Sequence, residues 1–224
     1  MKVTRTLRVG LQSRHTMPVV TYNKLAAAMT PSKLLALLLC VWLALLPACA
    51  GAADTGAPSI FLVAKPELQD PSFAQSVVLV VFPKDGAPVG VILNRPTRLV
   101  LKDAFPEQPQ LKDRNDTLFF GGPVQTNALM FLFRGASKTD STFPVIGDLF
   151  LSGDGELLNR LLSQKSSAVQ RYFLGYSGWT GPQLEHEIEL GAWYVIEADL
   201  ETVVHADPKT LWRDLMRRAT AVKT

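Results

Sequence analysis

Cysteine is nearly absent from this 224-residue chain: Cys40 and Cys49 are its two cysteines, and both precede residue 51. The rest of the chain therefore cannot form a disulfide or a zinc or iron–sulfur site built on thiolates. Histidine is scarce as well, with His186 and His205 the two that follow residue 50. Because imidazole is the usual general base at neutral pH and the commonest metal ligand, we predict no catalytic residue, no metal site and no cofactor.

Acidic residues are missing from the first fifty positions, which carry six lysines and arginines. The whole chain has 23 basic and 20 acidic residues and a net charge of +3. Without the first fifty residues, 17 basic residues stand against the same 20 acidic ones, and the net charge becomes −3. Since a basic surface is the footprint of phosphate binding, we predict that nucleic acid is not a partner.

An export signal is predicted for residues 1–50. The apolar run Leu34–Leu46 follows Lys33 and precedes a stretch of small residues, which is the layout of a secretory signal. Extension of this run to Ala53 approaches the length of about 20 residues that a bilayer requires, so an uncleaved membrane anchor is the alternative. Cleavage at an ordinary small-residue site and lipid attachment at Cys49 both fit the sequence. The predicted location is the periplasm of a Gram-negative bacterium, free or membrane-tethered, with the cytoplasm as the alternative.

The segment before Met29 has no periodic apolar face and is longer than an export signal requires. We therefore expect Met29 to be the true start. Residues 51–58 are predicted to be a short linker, and residues 59–220 a single domain, because the length after the leader suits one hydrophobic core.

Short runs of β-branched and aromatic residues predict the strands of this domain. They are bounded by Gly, Pro and Asp and comprise Ser59–Ala64, Val77–Phe82, Val89–Asn94, Thr117–Phe120, Ala128–Phe133, Leu149–Leu151, Tyr172–Tyr176 and Ala192–Glu197. Most of them lack polar–apolar alternation, so we expect both faces of the sheet to be covered.

Three helices are predicted from capping signals and leucine spacing. They follow Ser152-Gly-Asp-Gly-Glu, Thr180-Gly-Pro-Gln183 and Asp207-Pro208. Helices and strands do not alternate regularly, so we predict an α+β domain with a strongly coiled mixed sheet.

Two motifs supply groups that a ligand can use. Gly121 and Gly122 follow an apolar strand and either present backbone N–H groups to an anion or form a tight strand exit. Asn94 and Arg95 close another strand, where the guanidinium either grips a carboxylate or phosphate or caps carbonyl groups at the strand end. These four residues are our candidates for ligand binding.

Other motifs favour structural roles. Ser177 lies in a segment similar to a hydrolase nucleophile elbow, but the glycine follows one residue after the serine instead of two. We expect Gly178 to turn the chain and Trp179 to pack on the core. His186 has no second histidine four residues on, which predicts a solvated helix face, and His205 is predicted to lie in a surface loop.

Several motifs together resemble the AlgH/YqgE family in their order and spacing. They are Phe61-Leu-Val-Ala-Lys-Pro66, Asp70-Pro71, Gly90-Val-Ile-Leu-Asn-Arg-Pro-Thr97, Gly121-Gly-Pro-Val124, Gly175-Tyr-Ser-Gly-Trp179 and Leu211-Trp212. The resemblance spans Ser59 to Ala219 and implies a bifurcated, coiled sheet folded into a pseudo-barrel with packed helices. It implies no assigned activity, although some members are linked to the regulation of exopolysaccharide production.

This chain departs from the family pattern in two respects. Members commonly carry a histidine shortly after the second strand, where this chain has Pro83, and another at a position near Phe133. Typical members also look cytoplasmic, whereas this chain has a predicted leader.

The leading functional hypothesis is an exported, non-catalytic binding or accessory protein linked to the envelope or to exopolysaccharide. Its partner is an unknown protein or a small anionic ligand, and it contacts the membrane only through the leader or a lipid anchor. One alternative is a cytoplasmic regulator of transcription. The other is a small-ligand hydrolase that uses Arg95 with Asp70 or Asp103.

Overall fold

The computed structural model describes residues 59–84, 86–135, 141–163 and 168–221. The predicted leader, with Met29 and Cys49, and the linker at residues 51–58 lie outside the described residues. Ten strands form one sheet. Their bounds are Ile60–Ala64 (β1), Val77–Val81 (β2), Val89–Ile92 (β3), Pro96–Val100 (β4), Thr117–Phe120 (β5), Val124–Arg134 (β6), Thr142–Ile146 (β7), Leu149–Ser152 (β8), Val169–Gly178 (β9) and Trp193–Glu197 (β10).

The sheet branches at β9. Its main path runs β10-β1-β2-β3-β9-β6-β8-β7, with every neighbouring pair antiparallel. β3 pairs with β9 at Ser177 and Gly178, whereas β5 pairs with it in parallel farther back, from Tyr172 to Leu174. Since β4 pairs with β5, these two strands form the side branch. The predicted α+β fold with a bifurcated, coiled mixed sheet is confirmed.

Five α-helices and one 3₁₀ turn connect or cover the strands of the described part. The helices are Leu101–Ala104 (α1), Gly155–Leu162 (α2), Gly181–Glu189 (α3), Leu200–His205 (α4) and Leu211–Ala221 (α5), and the 3₁₀ turn is Pro109–Leu111. None of the helices in these described ranges is both long and apolar enough to cross a bilayer.

The helix starts follow their capping residues. The Asp154 carboxylate accepts hydrogen bonds from the N–H groups of Glu156 and Leu157 at 2.9 and 3.1 Å, which fixes the first turn of α2. Thr180 Oγ1 accepts one from Gln183 N at 3.2 Å at the start of α3. The predicted capping box is only half formed, because the Gln183 side chain donates to Glu187 Oε1 instead.

The core consists of three apolar clusters on the faces of the sheet. One lies under α4 and α5 and includes Phe61, Leu79, Phe173 and Leu215. The second lies under α2, and the third joins β1 and β2 to α3 through Trp179 and Leu184. Because both faces are covered, the central strands are buried on both sides, as their unbroken apolar sequences predict.

The structure adds elements that the sequence patterns do not predict. β4 and β7 each contain a proline and lie outside the main run of paired strands or at its end, where a missing N–H is tolerated. α1 and α4 are short helices. His205 ends α4, with its Nε2 4.0 Å from Glu201 Oε2, so the predicted surface loop at that position is wrong, although the side chain is exposed.

Candidate functional site

Asn94 and Arg95 hold the loop between β1 and β2. Asn94 Oδ1 accepts a hydrogen bond from Val77 N, and Asn94 Nδ2 donates to Gln75 O, each at 2.9 Å. The Arg95 guanidinium donates to three carbonyl oxygens of the same loop, those of Pro71, Ser72 and Ala74, at 2.6 to 3.1 Å. Burial lowers the pKa of the guanidinium, and the Asp70 carboxylate partly offsets that shift.

Gly121 and Gly122 lie against the backbone of β9, where there is no space for a side chain. A Cβ atom at Gly121 would overlap Gly175 O, and one at Gly122 would overlap the backbone of Tyr176. Gly175 has φ = +69°, and a Cβ there would lie 2.6 Å from Gly122 O. Gly121 N donates to Leu174 O at 2.8 Å. We call this contact between the β5–β6 turn and β9 the glycine crossing; it requires glycine for both space and backbone conformation.

The four predicted ligand-binding residues lie at adjoining strand ends. Phe120 N donates to Arg95 O at 2.9 Å, and Ile92 N donates to Gly121 O at 3.0 Å, so the two motifs are neighbours. The side chains of Asn94 and Arg95 are hydrogen-bonded to the loop between β1 and β2, and the N–H group of Gly121 is bonded to Leu174 O. Ligand binding by Asn94, Arg95, Gly121 and Gly122 stays a prediction.

The expected structural roles of Ser177, Trp179 and His186 are found, and Gly178 is the last residue of β9. Ser177 is 1 % exposed, and its hydroxyl donates to Gly121 O at 3.3 Å, which leaves it inside the crossing instead of on a strained elbow. Trp179 is 4 % exposed and packs in the third core cluster. His186 is exposed on α3. The described residues contain no group of three or more metal-ligating side chains.

A wide cleft opens beside the last residues of β9. We call this cavity of about 990 Å³ the wide cleft. Its walls come from the loop between β2 and β3, from β3, β7, the end of β9 and the start of α3, and include Lys84, Val89, Phe143, Tyr176 and Gln183. Pro83 also lines it. Aromatic and aliphatic side chains with a few amide and hydroxyl groups are the usual composition of a small-ligand site.

Two smaller pockets continue the wide cleft. A pocket of about 400 Å³ shares Val89, Phe143 and Tyr176 with it and extends to Met130 and Asp154. On the other side, a pocket of about 290 Å³ shares Trp179 and Gln183 with it. We call the latter the tryptophan pocket; its lining also includes Asp70, Phe73, Glu187 and Trp193.

Glu187 organises the side chains of the tryptophan pocket. Its Oε2 accepts hydrogen bonds from the indole N–H groups of Trp179 and Trp193, both at 3.0 Å. Its Oε1 accepts from Gln183 Nε2 at 3.0 Å. Phe73 lies against both indoles, with ring centroids 6.1 Å from Trp179 and 5.5 Å from Trp193. Helix α3 is thereby fixed to the sheet, and a carboxylate is held beside three aromatic rings.

The wide cleft is not predicted by the sequence. Val89, Phe143 and Tyr176 are apolar or aromatic residues on strands, and in a sequence they are indistinguishable from core residues. One available signal was Pro83, where the family resemblance implies a histidine and which lines the cleft.

Comparison with known proteins supports the resemblance found in the sequence. A family model described as AlgH-like matches residues 61–222. A UPF0301 protein of Cytophaga hutchinsonii is 34% identical over 160 residues, which cover 70% of this chain and 86% of the relative. A UPF0301 protein of Thermobifida fusca is 36% identical over 172 residues, with coverage of 70% and 84%.

Solved structures agree. The solution structure of the AlgH protein from Pseudomonas aeruginosa has a TM-score of 0.58 and 26% identity, and the match covers 77% of this chain and 92% of that one. A crystal structure of a protein from Corynebacterium diphtheriae has a TM-score of 0.56 and 26% identity, with coverage of 75% and 89%. On these matches, the chain belongs to the AlgH-like family, whose function is uncharacterised.

Proposed function

We propose that this protein is an exported binding or accessory protein of the bacterial envelope, which holds a ligand or a partner's side chains in the wide cleft and performs no catalysis. The observation that carries the proposal is the wide cleft itself, about 990 Å³ in volume and walled by residues such as Val89, Phe143 and Tyr176. Apolar walls with a few convergent polar groups favour binding.

Two polar side chains of this region are committed to the fold. Thr180 caps α3 and Gln183 bonds to Glu187. Ser177, the serine nearest to a nucleophile motif, is buried beneath Gly121. Pro83, which replaces the histidine implied by the family resemblance, has no group that can transfer a proton. These features favour binding over acid–base or nucleophilic chemistry.

Export is supported by the pattern around Leu34–Leu46, and its test is the mass of the protein made with its own leader in a Gram-negative host. We expect a periplasmic protein that begins between Gly51 and Asp54, or a lipid-modified one that begins at Cys49. An unprocessed cytoplasmic chain would overturn the export part of the proposal and favour a cytoplasmic regulator.

Binding in the wide cleft is tested with the apolar fluorescent probe 1-anilinonaphthalene-8-sulfonate. We expect saturable binding to the folded protein and a loss of about tenfold or more in affinity for Phe143→Glu, which places a negative charge in the cleft and repels the anionic probe. The matched control is Leu99→Glu, because Leu99 is an apolar residue of β4 that is 47 % exposed and does not line the cleft.

Both variants must keep the unfolding midpoint of the wild type for the comparison to count. Equal binding by the two variants, or no saturable binding by the wild type, would contradict the assignment of the cleft.

A further inference from the structure

The tryptophan pocket has an acidic lining. Asp70 and Glu187 are the two charged side chains among its lining residues, and no lysine or arginine is among them. Lys65, which is near in sequence, lies over the ring of Tyr194, 5.0 Å from its centroid. Its ammonium also lies close to Gly191, which precedes the pocket residue Ala192, but Lys65 is not among the lining residues.

Among the described residues, Glu187 lies beside aromatic rings and has no ion-pair partner. Within the described ranges, its hydrogen-bond donors are the neutral N–H groups of Trp179, Trp193 and Gln183. A carboxylate has about four acceptor sites, so one remains for a further donor. Since Trp179 and Trp193 are each 4 % exposed, they shield one side of the carboxylate from water, which strengthens its attraction for a cation.

Asp70 also lines the pocket. One of its carboxylate oxygens accepts a hydrogen bond from Ser72 N at 2.7 Å. Arg95 is near enough for its charge to interact with Asp70, but the guanidinium donates its hydrogen bonds to the loop carbonyls. Asp70 is thus partly compensated, and Glu187 supplies the uncompensated charge.

The chemistry of the lining selects the kind of cation. The described residues hold no group of three or more side chains suited to a metal ion, whereas a hard metal cation takes six or more oxygen ligands. Phe73 is half-buried and provides an apolar surface suited to an alkyl chain. A volume of about 290 Å³ accommodates a group the size of a lysine or arginine side chain.

We propose that the tryptophan pocket binds an organic cation with N–H groups, an alkylammonium or a guanidinium, with its charge at Glu187 and its apolar stem on Phe73. The inference rests on the proposed function, because the pocket continues the wide cleft and would select ligands that carry such a group at one end.

The test uses the two indole N–H groups bonded to Glu187 as reporters. In ¹H–¹⁵N spectra of the full chain, n-butylammonium chloride is titrated at constant ionic strength against sodium chloride, with 1-butanol as the neutral analogue. We expect saturable shifts of the Trp179 and Trp193 indole signals with n-butylammonium only. The Trp212 indole, which donates to Ala64 O at 2.7 Å, is the internal reference and stays in place.

Glu187→Gln is the matched variant, because its amide oxygen still accepts from the indoles while the charge is removed. We expect affinity for n-butylammonium to fall by about tenfold or more. Glu185→Gln, an exposed residue of the same helix outside the pocket, removes the same charge and leaves the affinity unchanged.

Equal shifts with 1-butanol, no shift in the wild type, or equal affinity in the two variants would overturn the inference. If n-butylammonium fails to bind while 1-anilinonaphthalene-8-sulfonate still binds in the wide cleft, the cation site alone is refuted. If neither probe binds, the proposed function fails as well.

Discussion

Within four residues of β9, a close backbone contact gives way to the wide cleft. At Gly175, the glycine crossing leaves no space for a methyl group. From Tyr176 to Gly178, the same strand borders a cleft of about 990 Å³. The residues with a recognisable sequence motif therefore mainly determine backbone geometry, while the opening beside them is lined by ordinary apolar residues.

The difference has a physical reason. A glycine crossing or an arginine that caps three carbonyls admits few alternatives, because backbone atoms cannot move aside and the part-buried carbonyls of Ser72 and Ala74 need donors. A cleft wall admits many side chains of similar size. In this chain, a recognisable sequence motif therefore indicates a constraint on the backbone more directly than it indicates contact with a ligand.

The largest effect on stability is expected for Gly121→Ala, in the glycine crossing. We expect a loss of roughly 3 kcal/mol or more in the free energy of unfolding, since the new Cβ would overlap Gly175 O, a backbone atom. The control is Gly155→Ala at the start of α2, where nothing lies within 4 Å, and there we expect no loss. Urea unfolding measures both; a stable Gly121→Ala protein would contradict the account of the crossing.

Tyr172 lies in the buried part of β9, where we expect a side chain to affect the pH dependence of the free energy of unfolding. It is 1 % exposed, and burial raises the pKa of its phenol to about 12, despite the opposing effect of Arg114. The folded pKa lies above the unfolded value of 10.0, so this stabilisation is present below pH 10 and is lost as the pH rises towards 12.

The expected alkaline loss is about 2.5 kcal/mol from a shift of two pKa units. Tyr172→Phe should therefore flatten the fall in stability between pH 10 and 12, as measured by urea unfolding across that range. The same slope in the variant and the wild type would show that another group is responsible.

Arg95→Met tests whether the arginine after β3 has a structural role in holding the loop between β1 and β2 or a role in binding a ligand. The variant keeps the apolar stem but leaves three loop carbonyls without their donor. We expect a loss of about 2 kcal/mol in the free energy of unfolding and faster proteolysis between residues 65 and 76. Arg98→Met, at an exposed position of β4, should change neither quantity. An unaltered Arg95→Met protein that loses a bound anion would instead favour the ligand role.

The smallest expected effect is at Asp199, which caps α4 and pairs with Arg218. Burial raises the pKa of its carboxyl group, but hydrogen bonds from Arg218 and Thr202 outweigh this and hold the pKa below 3.8. Its contribution is therefore present above that value and is lost as the pH falls through the lower, folded pKa. Asp199→Asn keeps a good helix cap and should slightly flatten the acid side of the stability profile. An unchanged profile would assign the acid sensitivity to other groups.

The sequence was informative where local chemistry decides the outcome. Thr180 caps α3, as its residue type predicts, and Gly191, with φ = +78°, follows the end of this helix. Eight strands were recognised, because unbroken runs such as Val77–Val81 suit a sheet that is buried on both faces. β4 and β7 were missed because each contains a proline and their pairing depends on distant strands.

The candidate site was harder to predict. The sequence drew attention to Asn94 and Arg95, but the partners of these side chains lie about twenty residues away, in a loop whose position follows from tertiary packing. Phe143 and Tyr176 meet only through the curvature of the sheet, and Glu187 meets Trp193 only once α3 packs on it. None of these contacts has a local sequence pattern.

The most direct test of the central claim is a map of backbone amide shifts when 1-anilinonaphthalene-8-sulfonate is added to the ¹⁵N-labelled protein. The account predicts that the largest shifts occur at Val89, Phe143 and Tyr176, in the wide cleft. Because the probe is an anion, it also samples the strand ends at Arg95 and Gly121, where we expect no change. Shifts concentrated at Asn94, Arg95, Gly121 and Gly122, with an undisturbed cleft, would contradict it.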